Sequence, residues 1–525
     1  MKKRIYLLPV SLICLVLGLV IGSIIPKMSD SKTDAFSDKL NYVINLISNQ
    51  YVDEVDRDSL TNKAISLLLD ELDPHSLYLT KEEVQKENES LRGNFDGIGV
   101  QFRIVEDSIV VVRTIKGGPS EKVGIMAGDR IVKVDGKNLT KNVTNDTVLH
   151  YLKGKRGSKV KLGVYRRGVK NLISFVVTRD KIETKAVAYF GMLDKTIGYI
   201  KLDEFSANSY TEVHNALQYL TNQGMQELVF DLRGNGGGFL DQAINIADEF
   251  ITKGDLIVYT QGKNRPRKDF YATGGGLFEQ GRMTVLIDEL SASASEIVSG
   301  CIQDNDRGTV IGRRTFGKGL VQEQKDLPDQ SAIRLTVARY YTPSGRCIQR
   351  PYVNGDAEKY YEDFIERYNN METNSDTISH SDKYKYKTKK GRIVYGGGGI
   401  EPDITLPFSY TKNSEYYKNL IRQGFIFKYC FDYVDRNRKV FAKYSGGDDF
   451  LKHYFVTNAE LNNMLVSAQN GGLKKQSLPL SEQAEIKTLM KAYIAQNLYE
   501  DKYFYSIYVT LDKELQTALK KIHKQ

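Results

Sequence analysis

Cysteine is scarce in this 525-residue sequence, with Cys14, Cys301, Cys347 and Cys430 the only four. They are widely separated and show no CxxC spacing or histidine partner, which argues against a structural zinc site. Cys14 lies in an apolar run and Cys301 at an apolar helix position, so no disulfide framework is expected. Charge of one sign is not in excess: 74 Lys and Arg against 65 Asp and Glu leave a formal +9 spread along the chain. That balance is too mild to call for nucleic-acid binding. Histidine is sparse, and no internal repeat is found.

What is present is ordinary globular composition, 41% hydrophobic and 26% charged, on a chain long enough for three or four folded units. Lys2, Lys3 and Arg4 precede an apolar stretch from Ile5 to Ile25, which as a helix spans about 30 Å and suffices to cross a bilayer. The basic flank predicts a cytoplasmic N-terminus and an exported body. No A-x-A site follows, so residues 1–28 read as a retained anchor in the cytoplasmic (inner) membrane, with the body on the periplasmic side.

Apolar residues then recur at helical spacing (Phe36, Leu40, Val43, Ile44, Ile47; Leu60, Ala64, Ile65, Leu68, Leu72), giving a helical region over 29–92. Residues 93–181 change to short alternating strands broken by glycine turns, a β-rich domain of about 90 residues. From 182 to 350 strands and helices alternate, the pattern of an α/β layer. Glu227 to Leu232 and Thr284 to Ile287 read as buried strands, each followed by a helix. Residues 351–395 are polar and rich in Lys and Tyr, and read as a poorly ordered insertion. Residues 396–408 return to the core, and 409–525 form a C-terminal helical region with faces at Tyr417, Leu420, Ile421, Phe425 and at Ile486, Leu489, Met490, Tyr493.

The chemistry concentrates in three segments. Asp231-Leu-Arg-Gly-Asn-Gly-Gly-Gly238 joins a strand to a helix, where glycines let backbone approach a ligand and N–H groups can hold an oxyanion. Ser291-Ala-Ser-Ala-Ser-Glu296 follows the second strand, so a hydroxyl there sits beside free backbone donors. Read by itself the run is a helix cap, and composition does not choose among its three serines. The six histidines (His75, His150, His214, His380, His453, His523) are remote in sequence. Lys318, in Thr315-Phe-Gly-Lys-Gly319, can accept a serine proton if burial lowers its pKa from about 10.4 to near 7. Gly312 to Gly319 also matches the phosphate-binding pattern GxxxxGK, but it ends in glycine where a magnesium-binding hydroxyl belongs, and strand-like Leu320-Val-Gln-Glu323 follows; nucleotide binding is rejected.

Taken together, Leu72-Asp-Pro-His-Ser-Leu-Tyr78, Gly97-Ile-Gly-Val100, Asp231 to Gly237, Ser291 to Glu296, Thr315 to Gln322 and Gly399-Ile-Glu-Pro-Asp403 resemble the carboxyl-terminal processing peptidases, or tail-specific proteases. The resemblance covers about residues 40 to 350 and the 399–403 motif. It implies a multi-domain α/β fold, a crotonase-like α/β protease core with an inserted PDZ domain and helical N- and C-terminal regions.

By the same resemblance Ser293 is the nucleophile, Lys318 the general base and Gln322 the residue that orients it. The backbone N–H groups of Ala294 and Gly237 are the implied oxyanion donors. Gly97, Ile98, Gly99 and Val100 correspond to the PDZ loop that holds a terminal carboxylate while the peptide adds as a strand. No metal or cofactor is implied. The implied partners are exported protein substrates with exposed apolar C-termini and, through the terminal helices, further copies of the chain. The alternative is a catalytically inactive PDZ adaptor on a protease fold.

Overall fold

The computed structural model describes residues 35–105, 107–372, 382–407 and 413–522. The Ile5–Ile25 run, and with it the expected anchor, lies outside them, as do Cys14, His380 and His523. Among the described residues no helix is long and apolar enough to cross a membrane. The chain divides into two units, 1–72 and 73–525. In the first, the two periodic stretches are the helices Ala35–Gln50 and Arg57–Asp70. Asp56 caps the second by accepting the N–H groups of Asp58 and Ser59, the acceptor that the open first turn requires.

The second unit is built on a six-stranded sheet. Val187–Met192 runs antiparallel to Ile197–Leu202, after which Glu227–Asp231, Arg282–Ile287, Thr309–Gly312 and Ile404–Thr405 add in parallel. Strand side chains alternate between faces. Ile200, Phe230, Val285 and Val310 therefore pack on one side with the helices Ser209–Asn222, Leu240–Asp248 and Ala294–Asp304. Tyr199, Val229, Leu286 and Ile311 face the other side, where Val509, Leu515 and Ala518 cover them. The last described helix, Lys513–Ile522, thus closes this sheet. A second, antiparallel sheet pairs Ala332–Tyr341 with Leu77–Leu79, Leu256–Gly262 and Leu320–Asp326, and Leu256–Gly262 with Arg265–Tyr271.

The β-rich segment has its own core, including Ile109, Val111, Ile131, Val148, Val160, Leu162 and Val177. Its chain leaves and returns through a two-stranded neck, Asn94–Gly97 against Asp180–Glu183. Residues 413–522 are helical, around an aromatic-rich core of Tyr416, Leu420, Ile426, Phe441, Phe450, Ile486 and Met490.

Where poor order was expected in residues 351–395, the described part has regular structure. Ala357–Glu372 is a helix and Lys385–Lys387 pairs with Ile393–Tyr395, with 373–381 outside the described residues. The helix looks polar because only one side packs: Tyr360 is buried, while Tyr361 and Ile365 stay exposed.

Candidate active site

The strand Arg282–Ile287 turns at Asp288 into the helix Ala294–Asp304, all of whose residues are buried. Two of the three serines in the turn are committed to structure. Ser291 Oγ lies 2.9 Å from the Leu232 carbonyl and Ser295 Oγ donates to the Asn235 carbonyl at 2.8 Å; both residues are fully buried. Ser293, between them, adopts φ 53° and ψ −110°, a left-handed φ that a side chain rarely takes and that costs about 1–3 kcal/mol. It occupies a sharp strand-to-helix turn, the local geometry that presents a nucleophile.

Glu296, one turn into this helix, is fully buried. Its Oε2 accepts the N–H of Ser293 at 2.8 Å and of Lys318 at 2.9 Å, while Oε1 accepts the N–H of Gly317 at 2.8 Å and the Thr315 hydroxyl at 2.5 Å. Burial pushes the Glu296 carboxyl up to about 7, against the pull of those donors. In the sequence this residue reads only as a cap partner; it does take the N-cap N–H, and the same carboxylate also gathers the lysine loop.

Lys318 is half-buried. Burial lowers its pKa, helped by the positive charge of Arg334 and opposed by Asp73, Glu87 and Glu296. Its Nζ donates to Gln322 Oε1 at 2.9 Å, and Gln322 Nε2 donates to the His75 carbonyl. The amide is therefore held in one orientation with its oxygen toward the amine. The Ser293 hydroxyl and the Lys318 amine are not hydrogen-bonded to each other. Their main chains meet instead at Tyr340, whose hydroxyl lies 2.6 Å from the Lys318 carbonyl and 3.1 Å from the Ser293 carbonyl. Burial keeps that phenol protonated.

One histidine distant in sequence does arrive here. His75 is buried, and burial together with Lys318 lowers its pKa to about 4, so it is neutral at pH 7. Asp73 shapes the turn that brings it by accepting the N–H groups of His75 and Ser76 and the Ser76 hydroxyl.

The glycine-rich loop lies against the serine turn. A Cβ on Gly237, which has φ +104°, would meet Ser293 Cβ at 2.9 Å and Ala294 N at 3.1 Å, so only glycine permits this approach. The N–H of Gly237, expected to bind an oxyanion, donates to Asn235 Oδ1 at 2.9 Å and is occupied in this arrangement. Ala294 is the first residue of its helix, where the N–H has no intrahelical acceptor.

The 351–395 segment reaches this site. Phe364 packs on Phe316 with ring centroids 4.8 Å apart, and Arg350 lies 4.5 Å from the Phe316 ring and 4.0 Å from that of Tyr360. Arg367 donates to the Thr315 carbonyl at 3.0 Å. The lysine loop is thus held from outside as well as by Glu296.

In the β-rich segment, Gly97 ends the neck, Ile98 is buried and Gly99 has φ +72°. The Ile98 and Gly99 carbonyls accept from Ser120 and Ile115. Val100 then starts the edge strand Val100–Val105, and an edge is what an added peptide strand needs. Val100, Arg103, Arg113, Phe427 and Gln496 line a cleft of about 330 Å³.

Comparison with known proteins gives four family matches: Peptidase family S41 over residues 196–359, PDZ domain over 97–177, Activating protease CtpB N-terminal domain over 24–83, and a family of unknown function, DUF8443, over 416–500. The chain is 37% identical over 311 residues to a carboxy-terminal-processing protease of Bartonella bacilliformis, covering 58% of this chain and 71% of that one. It is 36% identical over 317 residues to carboxy-terminal processing protease CtpA of Bacillus subtilis, covering 59% and 66%. Among solved structures, the photosystem II D1 C-terminal processing protease is 26% identical, with a TM-score of 0.38 and coverage of 72% and 87%.

Proposed function

The chain belongs to peptidase family S41 as a PDZ-containing serine peptidase of the carboxy-terminal processing type, and from that premise we propose that Ser293 is its nucleophile, Lys318 its general base and Gln322 the group that orients the base. The observation that carries this reading is the partner of Lys318 Nζ, the neutral amide of Gln322 at 2.9 Å. A carboxylate there would stabilise the ammonium; an amide oxygen, in a site where burial already lowers the pKa, leaves the free amine accessible.

Ser293 Oγ attacks the scissile carbonyl carbon as its proton passes to the Lys318 amine. Negative charge developing on the carbonyl oxygen is met by the Ala294 N–H at the helix start, with the Gly236–Gly238 segment alongside. The C–N bond breaks as the Lys318 ammonium returns its proton to the leaving amine. Water, deprotonated by the same lysine, then attacks the ester and frees Ser293. Glu296 keeps nucleophile and base in register, and no metal or cofactor enters any step.

Gly97, Ile98, Gly99 and Val100 receive the terminal carboxylate of the substrate, whose chain adds to the edge strand at Val100. The substrates on this reading are exported proteins with exposed apolar C-termini, cut near those ends. The Ile5–Ile25 segment holds the body at the periplasmic face of the inner membrane, as its basic flank and length suggest. The terminal helices offer surfaces for self-association.

Ser293→Ala tests the assignment: it should bind a peptide with an apolar C-terminus as the wild type does and cleave none of it. Unchanged turnover overturns the nucleophile. Wild-type protein that binds such peptides and cleaves none would favour the adaptor alternative.

A further inference from the structure

Residues 512–514 lie beyond both the 196–359 and 416–500 matches, yet they bear on the catalytic loops. Arg233, three residues after Phe230 and one before Gly234 in the glycine-rich loop, has every edge of its guanidinium occupied. Nε and Nη2 bond Asp231 at 3.0 and 2.5 Å, Nη2 and Nη1 bond Asp512 at 2.6 and 3.1 Å, and Nη1 bonds Glu514 Oε2 at 3.0 Å. The other oxygen of Glu514 takes Arg313 Nη1 at 2.5 Å, and Arg313 Nε bonds Glu289 at 2.7 Å. All six side chains are largely buried, Asp231 completely and none more than 14% exposed.

Each partner is placed where it matters. Arg233 lies four residues before Gly237, Glu289 four before Ser293 and Arg313 five before Lys318. One carboxylate, Glu514, therefore links the loop beside the oxyanion position to the loop carrying the base, and through Arg313 to the serine turn. Bidentate arginine–carboxylate pairs fix orientation as well as distance. The charges also depend on one another: Asp231 is held far below the usual carboxylate range by Arg233 and Lys201 despite its burial. Asp512 has a second duty, capping the last helix by accepting the Leu515 N–H at 2.9 Å.

We propose that Asp512 and Glu514 are positioning residues for catalysis, which hold the glycine-rich loop, the serine turn and the lysine loop in register through Arg233 and Arg313. This rests on the Ser293/Lys318 reading but concerns residues that it does not name. Packing alone is the competing account, because Leu515 and Ala518 of the same helix cover the catalytic sheet.

Glu514→Gln in the full chain separates the two accounts. It keeps the shape but loses the charge and one of the two acceptors, and misplacement at a reacting centre is costly in rate. kcat should fall about tenfold or more, with KM for a peptide ending in an apolar residue within about twofold. Labelling of Ser293 by a fluorophosphonate should slow in parallel. Leu515→Ala should lower the melting temperature while the folded enzyme keeps its kcat. Folded Glu514→Gln with kcat within about twofold of wild type overturns the proposal, as does a kcat loss in Leu515→Ala equal to that in Glu514→Gln. Should Glu514→Gln fail to fold, Asp512→Asn, which leaves Arg233 its Asp231 and Glu514 partners, is read by the same criteria.

Discussion

Glu296 Oε2 accepts the main-chain N–H of Lys318 at 2.9 Å, and the same oxygen takes the N–H of Ser293 at 2.8 Å. With the carboxyl raised to about 7, its ionisation falls near neutral pH. Three of its four partners are main-chain N–H groups that can only donate, so the anion is the form that satisfies the whole set. On the proposed mechanism Lys318 likewise loses its proton, and two deprotonations should then make log(kcat/KM) rise with pH at a slope approaching 2 on the acid side. Glu296→Gln should be slower and show a slope near 1. A slope of 1 in the wild type would remove Glu296 from the catalytic pH profile.

Stability should run the opposite way. The folded pKa of Glu296 lies above its value of 4.5 in the unfolded chain, so folding takes up a proton between the two. The contribution is complete below pH 4.5 and disappears as pH rises through 7, about 3 kcal/mol in all. Chemical denaturation across this window should show wild type losing stability relative to Glu296→Gln as pH rises, and parallel curves would refute the linkage.

Lys318→Arg should reduce kcat by about 10²–10⁴ because guanidinium keeps its proton. Peptide binding should persist. Retained turnover would shift attention to His75, already neutral and beside the lysine loop.

Phe364→Ala should slow acylation several-fold, since the Phe316 ring loses a neighbour worth about 0.5–1.5 kcal/mol. Burst kinetics with an activated ester measure this directly. An unchanged burst rate would make the helix Ala357–Glu372 a bystander.

Gly99→Ala should weaken capture of peptide termini. A Cβ there would meet Ile182 Cδ1 at 3.0 Å and Pro119 Cδ at 3.1 Å at φ +72°, a conformation costing about 1–2 kcal/mol for an L side chain. Fluorescence anisotropy should register about a tenfold loss for a free carboxyl terminus and none for its amide. Equal effects on both would separate Gly99 from carboxylate recognition.

Much of the fold was legible because it is local. The buried strand Glu227–Asp231, the strand ending at Ile287 and the helices after them declared themselves by periodicity. The choice among Ser291, Ser293 and Ser295 did not, because the hydroxyls that are committed go to Leu232 and Asn235, 59 and 60 residues away. The same distance problem hid His75, whose carbonyl meets Gln322 across 247 residues. Tyr360, Phe364 and Arg367 are spaced as one helical face, yet the polar residues around them masked it. Helicity after residue 409 could be read from apolar spacing; that Leu515 and Ala518 would cover Tyr199 and Val229 could not, since nothing local specifies which sheet a helix will close.

Asn94–Gly97 and Asp180–Glu183 pair side by side, so the two ends of the PDZ module are neighbours where they join the protease. A module of different taste with equally close termini can be spliced at that point without redrawing the sheet that breaks bonds. Target choice and hydrolysis are then free to evolve as separate traits of one gene.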